Sequence, residues 1–234
     1  MKIATIVHDA PIRMPREALF NAWVEHALKA FDASDIVLML EPGSRYKHMW
    51  AQTVELRPFE GFAPYYSLQH LVFSDYYKAQ GFHLIGSPVL VLDLDCLVQT
   101  DLPQWSDAVY RLAQHNPGTA PEEDTVNGQS IRHLNCAVQY QGADHFPRFR
   151  ECVDEVAADT EQRKNWMLGE VAFSLFFHRL ETEGGQVETL PLEYSWYAGT
   201  SPQPDDVKIL HYGREARDIL LRNIGLLPDR SENG

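Results

Sequence analysis

The run Pro88-Val-Leu-Val-Leu-Asp-Leu-Asp-Cys-Leu-Val-Gln-Thr-Asp-Leu102 constrains the fold of this chain more than any other stretch. Val89 to Leu92, with Leu94 beyond, are apolar at consecutive positions, so a strand here is covered on both faces and belongs to a parallel or mixed sheet flanked by helices. Asp93 and Asp95 stand at its carboxyl end, one residue apart, and on an extended backbone their side chains leave the same face. Two ionised carboxylates that close repel each other unless a cation or a shared proton lies between them. Open α/β sheets bind ligands at the carboxyl ends of their strands, and paired carboxylate oxygens suit Mg²⁺ or Mn²⁺ carrying a diphosphate. An isolated Asp-x-Asp is more often a solvated strand end, so the surrounding chain decides.

That surrounding chain reads as α/β. Residues 2–7 form a first strand that ends in the polar turn His8-Asp9-Ala10-Pro11, a ligand-facing position. Pro15 suits the first turn of a helix, and Leu19, Phe20, Trp23, Val24, Ala27, Leu28 and Phe31 recur at helical spacing after it. Residues 35–40 are a second buried strand, completing a crossover unit of a parallel sheet. Downstream, a short strand is expected over 54–56, helices over 65–77 and 106–115, and a loop rich in Pro, Gly and acidic residues over 117–129. A strand over 134–140, helices over 144–158 and 169–179, and short strands over 189–192 and 207–210 follow. The expected layout is a single domain over 1–215 and a charged tail, partly helical, over 216–234.

Charge and cysteine usage bound the partners. With 33 acidic against 20 basic residues the formal charge is -13, which repels nucleic acid and anionic membrane surfaces. The three cysteines, Cys96, Cys136 and Cys152, are odd in number and lack metal-ligand spacing, as expected of packed, reduced thiols in the cytoplasm. No apolar run approaches a membrane span, and the first residues are too soon interrupted by His8-Asp9 to be a signal peptide.

Taken in order, the landmarks carry a resemblance. Val91-Leu-Asp-Leu-Asp-Cys-Leu-Val-Gln-Thr-Asp-Leu102, the Asn135-x-x-Val138 strand, a polar pair opening an apolar helix at 169–170, Leu190-Pro-Leu192 and Ile209-Leu-His-Tyr-Gly213 resemble the GT-A glycosyltransferases of the glycogenin and galactosyltransferase-like family, glycosyltransferase family 8. The resemblance runs from Lys2 to about Arg217 and implies a GT-A, Rossmann-like domain with a mixed, mostly parallel central sheet flanked by helices. By motif position it implies that Asp93, Asp95 and His211 hold Mn²⁺ or Mg²⁺ on the diphosphate of a nucleotide-sugar, UDP-sugar being the expected donor, with retention at the anomeric carbon. His8 and Asp9 match the place where that family holds base and ribose. Asn135 would face the sugar or the acceptor, which the sequence leaves open among glycan, lipid, protein and small molecule.

The chain departs from the pattern twice. The family's Asp-Gln at the helix start is Gly169-Glu170, so Glu170 is the candidate to stand in for the aspartate that contacts the transferred sugar. The late Lys-Pro-Trp is missing after His211-Tyr-Gly-Arg-Glu-Ala-Arg217, leaving Arg214 or Arg217 to supply a phosphate-binding fork. Two other readings compete. Asp93-Leu-Asp-Cys-Leu resembles the nucleophile loop of haloacid-dehalogenase-type phosphatases, with Asp205-Asp206 as a late acidic pair. A non-catalytic GT-A-like nucleotide-binding protein is the other, because Gly169 replaces an aspartate. A nucleotidyltransferase is weaker, since no Gly-rich loop follows the first strand. Trp50, Phe59, Phe62, Tyr65, Tyr66, Trp196 and Tyr197 are read as core or loop packing before any binding platform, and Asp205-Asp206 as a solvated turn.

Overall fold

The computed structural model describes residues 1–7, 16–44, 46–57, 69–118, 121–159, 168–200, 203–213 and 216–225, with backbone alone for 16, 69–73 and 217. The chain alternates strands β1 (Lys2–Val7), β2 (Ile36–Leu40) and β3 (Gln52–Glu55) with helix α1 (Arg16–Ala27). Helices α2 (Gln69–Ala79) and α3 (Gly81–Ile85) lead into β4 (Val89–Leu92), β5 (Cys96–Val98) and β6 (Tyr110–Ala113). A hairpin β7 (Glu123–Val126) and β8 (Gln129–Arg132) precedes β9 (Asn135–Gln141), α4 (Phe146–Ala158) and α5 (Leu168–Thr182). Short strands β10 (Val187–Thr189), β11 (Trp196–Tyr197) and β12 (Ile209–His211), then α6 (Arg217–Asn223), complete the described chain.

Seven strands form the central sheet in the order β10-β6-β9-β4-β1-β2-β3. The pairs of β1 with β2 and β4, of β2 with β3 and of β6 with β10 are parallel; β9 runs antiparallel to both β4 and β6. That one reversal brings the amino end of β9 to the carboxyl ends of β4 and β6, with Val138 opposite Leu92 and Asn135 opposite Ala113. A smaller sheet, β11-β12-β5, lies beside this edge.

Strand alternation sorts the apolar residues into two layers. Ala4, Ile6, Val37, Met39, Val89 and Val91 pack with α2, α4 and α5 on one face. Ile3, Val7, Leu38, Leu40, Leu90 and Leu92 pack on the other with Leu19 and Trp23 of α1 and Leu220 of α6. Full burial of a large apolar side chain is worth about 1.5–3 kcal/mol, and consecutive strand residues here serve opposite layers. The near-continuous hydrophobic runs follow from that.

Two sequence expectations are corrected. The helix expected over 106–115 is strand β6, because Leu112 and Ala113 go to opposite layers and Arg111 lies between Asp107 and Glu188 at 2.7 Å each. The loop expected over 117–129 contains β7, which turns into β8 through Asn127 (φ 49°) and Gly128 (φ 80°), the left-handed pair that a two-residue hairpin requires. The helix expected over 65–77 is described only from Gln69, and there it extends to Ala79.

Candidate active site

Backbone pairing sets the site. β4 ends at Leu92, and the chain turns through Leu94 and Asp95, closed by the Cys96 N–H donating to the Asp93 carbonyl at 3.0 Å. The two carboxylates therefore do not project side by side as an extended strand would have them. β12 then pairs antiparallel with β5, His211 standing opposite Cys96, and the Tyr212 N–H donates to the Asp95 carbonyl at 2.8 Å. This register carries His211 Nε2 to 3.7 Å from Asp95 Oδ1.

The ligand atoms of Asp95, Cys96 and His211 lie within 4.8 Å of one another. Burial pushes the Cys96 thiol well above its ordinary pKa in the absence of an ion. Burial also raises the Asp95 carboxyl, with His211 pulling it back. The 3.7 Å gap is too long for a hydrogen bond but close to the roughly 3.0–3.4 Å between two donors on one divalent ion. A carboxylate and an imidazole are a donor set that a divalent ion accepts.

Asp93 belongs to a neighbouring group. Its Oδ1 is 2.6 Å from Lys78 Nζ, which also meets Asp75 Oδ1 at 2.7 Å. Lys78 is 2% exposed, and although burial opposes its charge, the two carboxylates hold its pKa well above the usual lysine range. Burial pushes Asp75 up to about 6 against the pull of Lys78. Asp75 also explains Gly169: a side chain at 169 would overlap the Asp75 carboxylate.

Glu170, in the first turn of α5, faces a third group. Its Oε2 lies 3.8 Å from His115 Nε2, past the end of β6, and 3.6 Å from His133 Nε2, ahead of β9. The two imidazoles stack at 4.9 Å. His133 Nδ1 is bonded to Asp124 of β7, and His115 Nδ1 lies 3.1 Å from the Tyr197 hydroxyl. Burial alone would lower His133, but Asp124 and Glu170 raise it to about 9. Burial carries His115 down to about 4. For Glu170, burial is outweighed by His133 and His115, and its carboxyl stays below the ordinary value.

Asn135 joins the groups. Fully buried, its Nδ2 donates to Ser195 Oγ at 3.1 Å and the Tyr197 hydroxyl at 3.3 Å, and lies 3.5 Å from His211 Nδ1. Its Oδ1 accepts from the Ala137 N–H at 2.8 Å. The Tyr197 ring packs on His211 at 4.3 Å.

Of the residues singled out from sequence, the fold brings Asp95 and His211 together, sets Asp93 on Lys78, and places Glu170 with two histidines. His8, Asp9 and Arg214 lie outside the described residues, as do Phe59, Phe62, Tyr65 and Tyr66, and of Arg217 only the backbone at the start of α6 is described. Trp50 is 55% exposed, and Asp205-Asp206 is an exposed turn. Sequence reasoning missed Lys78, Asp75, His115 and His133. The available signals were a lysine among the aromatics of an amphipathic helix and histidines bordering buried strands.

No family model matches the chain. No curated protein matches it either. Among solved structures, the galactosyltransferase LgtC, in complex with donor and acceptor sugar analogues, aligns over 99% of this chain and 98% of its own, at a TM-score of 0.59 and 16% identity. The seven-stranded, mostly parallel sheet flanked by helices is accordingly the GT-A glycosyltransferase fold.

Proposed function

We propose that this chain is a metal-dependent glycosyltransferase that takes a sugar from a nucleoside-diphosphate donor, UDP-sugar being the expected one, and passes it with retention to an acceptor. The observation that carries this reading is the meeting of Asp95 and His211, distant in sequence, at the carboxyl edge of a GT-A sheet. A divalent ion bound there supplies charge neutralisation for the departing nucleoside diphosphate.

The chain's own residues do the rest. Asp95 and His211 would hold the ion, and Lys78, 2.6 Å from Asp93 Oδ1, fixes the Asp93 carboxylate beside them. Asn135 and Tyr197 fix the His211 ring. Glu170 offers its carboxylate to the sugar side of the cleft. His8 and Asp9 serve the nucleoside, and Arg214 and Arg217 the phosphates. The phosphatase alternative is less well supported, because the fold likeness to a galactosyltransferase runs the length of the chain.

Calorimetric titration with UDP, with and without Mn²⁺, tests the assignment. Binding is expected with the ion and is expected to be at least tenfold weaker without it, and Asp95→Ala should abolish the difference while circular dichroism stays unchanged. UDP binding that ignores Mn²⁺, or an Asp95→Ala protein that retains the metal effect, overturns the reading.

A further inference from the structure

A second ligand set stands apart from the Asp95 and His211 pair. The ligand atoms of His115, His133 and Glu170 lie within 4.8 Å of one another, and they come from three separate places in the fold: beyond β6, ahead of β9 and at the start of α5. The Nε2 atoms of both histidines are buried and have no hydrogen-bond partner among the described residues. The His133 side chain is 1% exposed and that of His115 10%, so neither nitrogen turns to solvent. Two buried nitrogens without a hydrogen bond in one place are unusual, since each such group costs roughly 1–3 kcal/mol unless something else compensates it.

Both nitrogens instead face one oxygen, Glu170 Oε2, at 3.8 and 3.6 Å. Those distances exceed hydrogen-bond reach. Donors each about 2.0–2.2 Å from a tetrahedral ion stand roughly 3.4 Å apart, so a small inward shift seats a metal between the three atoms. The opposite ring nitrogens are already oriented: Asp124 holds His133 Nδ1 and the Tyr197 hydroxyl holds His115 Nδ1. Metal-bound histidines are fixed in the same way, by an acceptor or a hydroxyl on the far nitrogen.

We propose that His115, His133 and Glu170 form a second metal site, selective for a zinc-class divalent ion and separate from the Asp95 and His211 pair. Two imidazoles and one carboxylate are softer than the oxygen-rich set a Mg²⁺ ion demands, and Zn²⁺ or Co²⁺ is the ion they suit. Three protein ligands leave a coordination position open.

The test uses the whole chain, stripped by chelator and titrated with Co²⁺ under visible spectroscopy, with Zn²⁺ stoichiometry measured by native mass spectrometry. The Asp95→Ala/His211→Ala double variant is expected to keep one tightly bound ion with the ligand-field bands of a low-coordinate imidazole site. His115→Gln and Glu170→Gln should each lose those bands, and Asp124→Asn should weaken binding by roughly 10–100-fold. Circular dichroism of each stripped variant identifies a misfolded protein, and Glu170→Gln, which keeps shape and volume, carries the test if a histidine variant misfolds. Absence of any bound ion in the Asp95→Ala/His211→Ala protein, or retention of wild-type bands in a folded Glu170→Gln, overturns the proposal. Either result leaves the Mn²⁺-dependent binding of UDP untouched, so the two assignments fail separately.

Discussion

Gly169 is the residue on which the resemblance and the physics meet. The family that the sequence resembles has an aspartate at the matching position, yet any side chain at 169 would run into the carboxylate of Asp75, which Lys78 holds from the next turn of α2. The glycine is thus required by the lysine and aspartate packed against it. Overpacking a site of this kind costs roughly 1–3 kcal/mol. Gly169→Ala should lower the urea midpoint accordingly, and Asp75→Ala should relieve that cost. The pair is expected to couple by about 0.5–3 kcal/mol in a double-mutant cycle. Strictly additive midpoints would show that the two side chains do not compete for the space. The same reasoning explains why a carboxylate cannot be restored at 169 by a single substitution.

Elements differ in how far the sequence revealed them. β2 and β4 were legible because burial on both faces writes itself as an unbroken apolar run, and β1 and β9 as shorter apolar stretches interrupted by the buried polar residues Thr5, Asn135 and Gln139. β6 was not: Val109, Leu112 and Ala113 fit a helical stripe, the Asp107–Arg111 pair has helical spacing too, and only the pairing with β9 and β10 makes this stretch a strand. The β7-β8 hairpin hid inside an acidic, Pro- and Gly-rich segment although Asn127-Gly128 carried its turn signal. Asp95 and His211 could be singled out by motif, whereas His115 and His133 could not, since no spacing rule links a residue after one strand to a residue before another. The tie between α1 and β5 offers an element-scale test. The His26 ring donates Nδ1–H to the Val98 carbonyl at 2.7 Å. Burial lowers its pKa, against the raising effect of Val98, with Lys29 lowering and Glu25 raising it. The unfolded chain then binds the extra proton first, so this contribution is complete above about pH 6.5 and fades as pH falls below it. His26→Asn should show a shallower loss of stability than the parent chain between roughly pH 7.5 and 5.5. Parallel curves would remove His26 from the account.

At the scale of the molecule, the site is a clasp between the central sheet and the smaller β11-β12-β5 sheet. Asp95 follows β4, which pairs with the first strand, and His211 closes β12, which brings α6 and the smaller sheet onto the same layer as α1. Parting β5 from β12 would open the Asp95 and His211 pair, so a ligand held there should stabilise the two sheets together. Binding to the native state alone adds about 2.7 kcal/mol at a hundredfold excess over Kd. For a domain of this size that corresponds to roughly 5–10 °C in Tm. Calorimetric melting with UDP and Mn²⁺ together should therefore show one transition moved upward by that amount, and neither Asp95→Ala nor UDP with chelator should show the shift. A profile that split, with one transition moving and another staying in place, would mean that the β5 and β12 pairing does not couple the halves. The clasp would then be a local contact, and the two sheets would unfold independently of the site they build.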